Sequence, residues 1–424
     1  MSILFKNAHL VCPEQKLNKK GWLEISNNLI ERIGTNDLPN DKNFDKIIDC
    51  KDQIIAPGII DMRATSGDPG NEHLENLDSL LSAASNSGIT SLVILPSTNP
   101  IIDNAAIIDS IMHRAKNINS TKLYLYGAMT ENLDGEKMAE LGMMAKSGAV
   151  GFSNGNISIQ DSLIMRRILS YSKMLKKPII HHCEDLSLTK DGEMNEGEVS
   201  TRLGILGMPS IAETIILERD LQLVKLTGAK YHASHISCKS SVESIRMAKN
   251  QGLPVTADTS PPYFQLNEIS ILEYNSIFKL NPPLRTEEDR EAIIEGLIDG
   301  TIDAITSDHF PVNADMKNQP FNLSVPGCSS LETLLPISLR LVKSKNIDLI
   351  KLFELLSFSP SKILNLKGGS LTPGNPADFI MVNTEKSYII EGKKFKSLSR
   401  LTPFEGQPCE GKVTGCWIEG KECI

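Results

Sequence analysis

The chain has 424 residues, enough for one large α/β domain of about 250 residues or more with material left for a small second one, and too many for a single mini-domain. Apolar residues make up 40% and charged residues 23%, and there is no run of about 18 consecutive apolar residues. A disordered chain and a helical membrane span are therefore excluded. The formal charge of −8 argues against a nucleic-acid surface, which needs clustered Lys and Arg to displace counterions from phosphates; small-molecule or protein partners are expected instead.

The opening segment, Met-Ser-Ile-Leu-Phe-Lys-Asn-Ala-His-Leu, lacks the basic start, apolar core and small-residue cleavage site of a secretory signal, so a cytoplasmic location is expected. The eight cysteines stand singly at 12, 50, 183, 238, 328, 409, 416 and 423, without a Cys-x-x-Cys pair, and are expected to be reduced thiols.

In chain order, residues 3 to 57 read as short strands broken by turn formers: Ile3 to Leu10, Gly21 to Ile25, Leu29 to Gly34 and Ile54 to Ala56. From Gly58 to about Leu366, buried-strand runs alternate with helical patterns. The runs are Thr90 to Leu95, Lys122 to Gly127, Ala149 to Phe152, Pro178 to His182, Lys230 to His235, Pro254 to Ala257 and Ala304 to Thr306. That alternation predicts a parallel (β/α)8 barrel over 58–366. After it, the turn Leu371-Thr-Pro-Gly-Asn-Pro-Ala-Asp378, a strand at Phe379 to Val382 and an apolar run at Val413 to Ile418 return to the style of the first segment. Segments 1–57 and 367–424 are expected to pair into a small β-sandwich domain.

Barrel sites gather at the C-terminal strand ends. Just past such ends lie Arg63, Thr65, Asn154, His182, His235, Asp308 and His309. A lone histidine near a strand end is more often a satisfied core residue than a ligand. The charge-rich Glu184-Asp185 and Glu131 to Glu140 read as solvated faces.

Ala56-Pro-Gly-Ile-Ile-Asp61 resembles the amidohydrolase superfamily, whose first barrel strand carries Pro-Gly-x-x-Asp before a His-x-His metal pair. Later segments narrow the resemblance to the dihydroorotase family: Asp68-Pro-Gly70, Leu95-Pro-Ser-Thr-Asn-Pro100, His182-Cys-Glu-Asp185, Asn195-Glu-Gly197, Asn281-Pro-Pro-Leu-Arg285, Thr306-Ser-Asp-His309 and Leu331-Glu-Thr333. The resemblance covers nearly the whole chain, and Asn281-Pro-Pro-Leu-Arg285 discriminates best. Related hydantoinases and allantoinases carry a carboxylated lysine after the fourth strand, but Gly151-Phe-Ser-Asn-Gly-Asn156 offers none.

Such an enzyme opens or closes a cyclic amide with a zinc site that lowers the pKa of bound water and polarises a carbonyl. The resemblance places Arg63 and Thr65 at the His-x-His positions. Neither replaces an imidazole: a guanidinium has no lone pair to donate, and a threonine hydroxyl is a poor zinc ligand. Asn154 stands where the family has an Asp, Gly67 where an Arg clamps the substrate carboxylate, Ser97 where there is a substrate-binding Asn, and Val312 where there is a His. His182 and His235 match the two imidazoles of the second metal, Asn281 a substrate-binding amide and Asp308 the acid/base carboxylate.

No zinc or a single zinc is expected, and a binuclear site is not. Arg63 is expected to occupy the vacated metal position and pair with Asp308, because an unpaired buried carboxylate is costly. The resemblance extends to non-catalytic homologues that assemble with the aspartate carbamoyltransferase catalytic chain. It therefore implies an oligomer with that partner; the alternative is an active dihydroorotase using one zinc on His182 and His235.

Overall fold

In the computed structural model, which describes residues 2–39, 43–116, 118 and 120–424, the central segment winds into a barrel of eight parallel strands. In chain order these are β1 (Ile59–Ala64), β2 (Ile89–Ile94), β3 (Lys122–Ala128), β4 (Gly151–Ser153), β5 (Ile179–His182), β6 (Tyr231–Ser234), β7 (Val255–Thr259) and β8 (Ala304–Ile305). Each pairs with the next. Every residue of β1, β2, β5 and β6 is buried, as a strand covered on both faces must be, so burial does not alternate along them. The last strand reaches the first through a bridge between Ala64 and His309 and through Ser307 N–H, which donates to Asp61 Oδ1 at 3.0 Å.

Local chemistry sets where the outer helices begin and end. Asn76 and Ser79 form a capping box at the start of helix Leu77–Asn86, and Thr286 with Asp289 does the same for Glu287–Asp299, satisfying amide groups that would otherwise be orphaned. Helix Ile211–Thr227 stops at Gly228 and Glu287–Asp299 at Gly300, both left-handed (φ 67° and 82°), a conformation glycine adopts without a Cβ penalty.

The two chain ends hydrogen-bond into one eight-stranded sheet. Its path runs Lys421–Glu422, Pro408–Ile418, Phe379–Ile389, Ile54–Pro57, Ser2–Cys12, Leu17–Ser26 and Leu29–Gly34. A strand absent from the sequence reading, Lys46–Asp49, adds in parallel to Ser2–Cys12; it has too little apolar patterning to be legible, and Ile47 is exposed. The sheet curls over its own core. Phe5 lies three ladders away from Trp417, yet their ring centroids are 5.0 Å apart, and Phe379 stacks on Trp417 at 4.9 Å. Alternate residues face the other way, so Ile54, Ala56, Ile380 and Val382 pack against the barrel core. Among the described residues, no helix is long and apolar enough to cross a membrane.

Candidate functional site

At the C-terminal mouth of the barrel, β1 delivers Arg63 into the interior, where it is 1% exposed. Its Nε donates to Asp308 Oδ1 at 2.7 Å, Nη1 to Ser234 Oγ at 3.1 Å, and Nη2 to Asn156 Oδ1. The expected pairing of Arg63 with Asp308 is therefore present. Asp308 also accepts from His235 Nδ1 at 3.1 Å; His235 Nε2 meets His182 Nδ1 at 2.8 Å, and His182 Nε2 meets Glu184 Oε2 at 2.8 Å. The result is one hydrogen-bonded line, Glu184, His182, His235, Asp308, Arg63.

Burial and hydrogen bonding act in opposite directions on three members of this line. Burial alone would raise the Glu184 carboxyl, but the hydrogen bond and charge of His182 outweigh it and bring Glu184 down to about 2. Burial would likewise raise Asp308; His235 and Arg63 overcome this and hold it below the ordinary carboxylate range. Burial, reinforced by Arg63, pushes His235 down to about 4, so it is neutral at pH 7. Ionised carboxylates only accept, so His235 donates through Nδ1–H and keeps a lone pair on Nε2. That lone pair faces His182 Nδ1, and the other nitrogen of His182 meets Glu184.

This arrangement does not fit a metal. His182 Nδ1 and His235 Nε2 face each other in a hydrogen bond, and His182 Nε2 is engaged by Glu184. Two ligand atoms on one tetrahedral zinc sit roughly 3.3 Å apart, wider than the 2.8 Å between these rings. Asp308, the third candidate ligand, holds the guanidinium.

The remaining sequence-selected residues do other work. Asn154 is structural: its Oδ1 accepts from the Met129 and Thr130 amides at 3.1 Å each, and its Nδ2 donates to Thr130 Oγ1 at 2.9 Å. At Gly67 an added Cβ would lie 2.2 Å from the Asn71 carbonyl oxygen, so the loop has closed over the place where a clamp side chain would emerge. Thr65 continues the β1 pairing through its N–H to the His309 carbonyl at 2.7 Å. Ser97 is half-buried with its hydroxyl against Gly155. Val312 is buried and tied at both backbone groups to the Ser399 hydroxyl, at 3.2 and 2.6 Å. Asn281 is half-buried; its Nδ2 reaches Glu184 Oε2 at 3.5 Å, and its Oδ1, without a partner, lines the mouth cavity.

One reading needs correction. Glu184 is not on a solvated face but is buried and bonded to His182. The His182-x-Glu184 spacing, which puts both side chains on one side of an extended segment, was the available signal. Asp185 instead caps helix Leu186–Thr189, while Asp134, Glu136 and Glu140 are exposed as expected. Ser234, at the end of β6, and Asn156, on the loop after β4, carried no sequence signal, since barrel closure and a loop path decide what they meet. His235 and Asp308 both sit at positive φ, 39° and 52°, a strained conformation of about 1 kcal/mol or more each that the surrounding bonds must over-determine; Asp258 Oδ1 accepts from the His235 amide at 2.6 Å.

A second cluster, His181, Cys183 and Asp220, is internally satisfied. His181 Nε2 accepts from the Ile159 amide at 3.0 Å, so Nδ1–H donates to Asp220 at 2.7 Å; the Tyr231 hydroxyl donates to Asp220 at 2.9 Å and Arg219 forks onto its other oxygen. It reads as a structural network.

The depressed pKa of His235 makes a pH prediction. The unfolded ring takes a proton near 6.5 and the folded one near 4, so between these values the unfolded state binds more protons and stability falls as pH falls. Urea unfolding should show this group removing about 2 kcal/mol between pH 7 and pH 5. A His235→Asn variant should have a shallower pH slope; an unchanged slope would refute the assignment.

Similarity to known proteins agrees with this architecture. The family described as dihydro-orotase-like matches residues 52–241. A dihydroorotase of Syntrophus aciditrophicus (strain SB) is 38% identical over 423 residues, covering 99% of both chains. One from Anaplasma phagocytophilum (strain HZ) is 36% identical, covering 99% of this chain and 94% of its own. Among solved structures, an L-hydantoinase from Arthrobacter aurescens superimposes with a TM-score of 0.88 at 23% identity, covering 99% of this chain and 95% of its own, a likeness of fold. With a shared barrel, a shared end sheet and more than a third of its residues in common with these relatives over nearly its whole length, the chain belongs to the dihydroorotase family.

Proposed function

We propose that this chain is a non-hydrolytic dihydroorotase-family protein of pyrimidine biosynthesis, which keeps the scaffold and supports assembly of aspartate carbamoyltransferase. The observation that carries this reading is the Arg63 guanidinium, bonded to Asp308, Ser234 and Asn156 where the charge of a first metal would sit. The mouth cavity adds support: at about 40 Å³ it holds little more than a water molecule, against about 300 Å³ and above for ligand pockets. The partner follows from the resemblance, and selection acting on a surface accounts for an intact Asn281-Pro-Pro-Leu-Arg285 beside an altered site.

A second reading, an active dihydroorotase with one zinc on His182 and His235, is favoured by the names of the relatives at 36–38% identity. It requires the two rings, now 2.8 Å apart at their facing nitrogens, to separate. The readings part on one preparation of untagged protein, analysed for zinc, assayed for dihydroorotate ring opening with added zinc, and mixed with the aspartate carbamoyltransferase catalytic chain before size exclusion. We expect no stoichiometric zinc, no turnover and co-elution with the carbamoyltransferase. One zinc per chain with activity lost in His182→Ala would overturn the proposal in favour of the second reading.

A further inference from the structure

A groove of about 380 Å³ lies between helices Leu77–Asn86 and Leu331–Lys343 and the hairpin of Phe379–Ile389 with Pro408–Ile418. It shares no lining residue with the mouth cavity, and nothing in the barrel chemistry uses it. Its volume falls in the range of small-molecule sites, roughly 300 to 1,000 Å³.

Three kinds of chemistry converge on its walls. Lys386, Lys396 and Lys412 are exposed at the rim and make no ion pair among the described residues, although the chain as a whole carries a charge of −8. Three unpaired cations around one groove in an acidic protein call for an anion, and a phosphate dianion is the small group that engages several lysines at once. Tyr388 and Phe395 line the groove half-buried, offering aromatic surface to a planar ring. Finally, Glu332 lies on the wall: its Oε1 accepts from the Lys396 amide, and its Oε2, shielded from solvent, has no hydrogen-bond partner among the described residues. A buried carboxyl oxygen without a partner is costly unless a ligand group completes it.

We propose that this groove binds a nucleoside monophosphate, with the phosphate on Lys386, Lys396 and Lys412, the base against Tyr388 and Phe395, and a polar edge of the base meeting Glu332. Burial pushes the Glu332 carboxyl up to about 7, so near neutrality it can either accept from a ring N–H or donate to a ring carbonyl. The site would give the protein a way to sense nucleotide independently of the barrel mouth.

The test is calorimetric titration of the full chain with uridine 5′-monophosphate, adenosine 5′-monophosphate, uridine and inorganic phosphate. At least one nucleotide should bind at least tenfold more tightly than either uridine or phosphate. Lys396→Glu with Lys412→Glu should weaken that binding at least tenfold without changing the melting temperature, since both side chains are exposed; Lys386→Glu provides an independent check. Nucleotide binding no tighter than phosphate would reduce the groove to an anion-attracting patch and overturn the proposal. So would binding indifferent to all the lysine variants, or no binding of either nucleotide.

Discussion

Replacing Arg63 with alanine should cost about 3–5 kcal/mol of folding stability, among the largest effects of any single substitution in this chain. The reason lies in what the guanidinium leaves behind. Asp308 is held ionised against burial by His235 and Arg63; without Arg63 it keeps one neutral imidazole donor in a largely buried site. Ser234 and Asn156 lose their donor at the same time. Part of the penalty can be relieved if Asp308 takes up a proton, so the loss should be greatest at neutral and alkaline pH and shrink as pH falls toward the ordinary carboxylate range. Arg63→Lys should fall in between, because an ammonium restores the charge but cannot fork simultaneously onto Asp308, Ser234 and Asn156. Chemical denaturation of the three proteins at pH 7 measures this directly, and an alanine variant as stable as the parent would refute the idea that Arg63 has taken over the charge of a metal.

The second large effect runs the other way. Arg63→His combined with Thr65→His should make the chain bind zinc more tightly than the parent. Residues 63 and 65 keep strand alternation, because the Thr65 amide extends the β1 pairing to the His309 carbonyl, so both new imidazoles would face the mouth. Removing the guanidinium frees Asp308 to ligate, and two imidazoles with a carboxylate make a three-ligand site. Zinc at a thousandfold excess over its dissociation constant stabilises a folded state by about 4 kcal/mol, so the melting temperature of the double variant should rise with zinc while that of the parent stays put. No zinc-dependent shift in the variant would mean that the mouth has been remodelled beyond ligand exchange. Gly67, where the loop has closed to within 2.2 Å of a Cβ position, predicts that restored zinc would still not restore capture of a substrate carboxylate.

How much of this was written in the sequence differs by feature. The barrel was legible because strands covered on both faces are continuous apolar runs, and runs such as Thr90 to Leu95 and Pro178 to His182 met their strands within a residue or two. The pairing of the two chain ends was legible from matching turn and strand chemistry, whereas Lys46–Asp49, exposed and polar, carries no pattern and becomes a strand only because Ser2–Cys12 offers it an edge. The identities at 63, 65, 67, 97, 154 and 312 are legible from sequence as departures from the family's metal and substrate residues. Sequence could also anticipate that a buried Asp308 needs a cation and that Arg63 was the candidate, since that argument depends on charge and desolvation alone. What it could not supply was the rest of the line: Glu184 behind His182, Ser234 and Asn156 on the guanidinium, and the hydrogen bond that ties the two imidazoles to each other. Those partners come from three different strand ends, and their meeting depends on barrel closure and on loop paths to within about an ångström. Residue type determines which bonds a side chain can make, but only the packed fold determines which it does make.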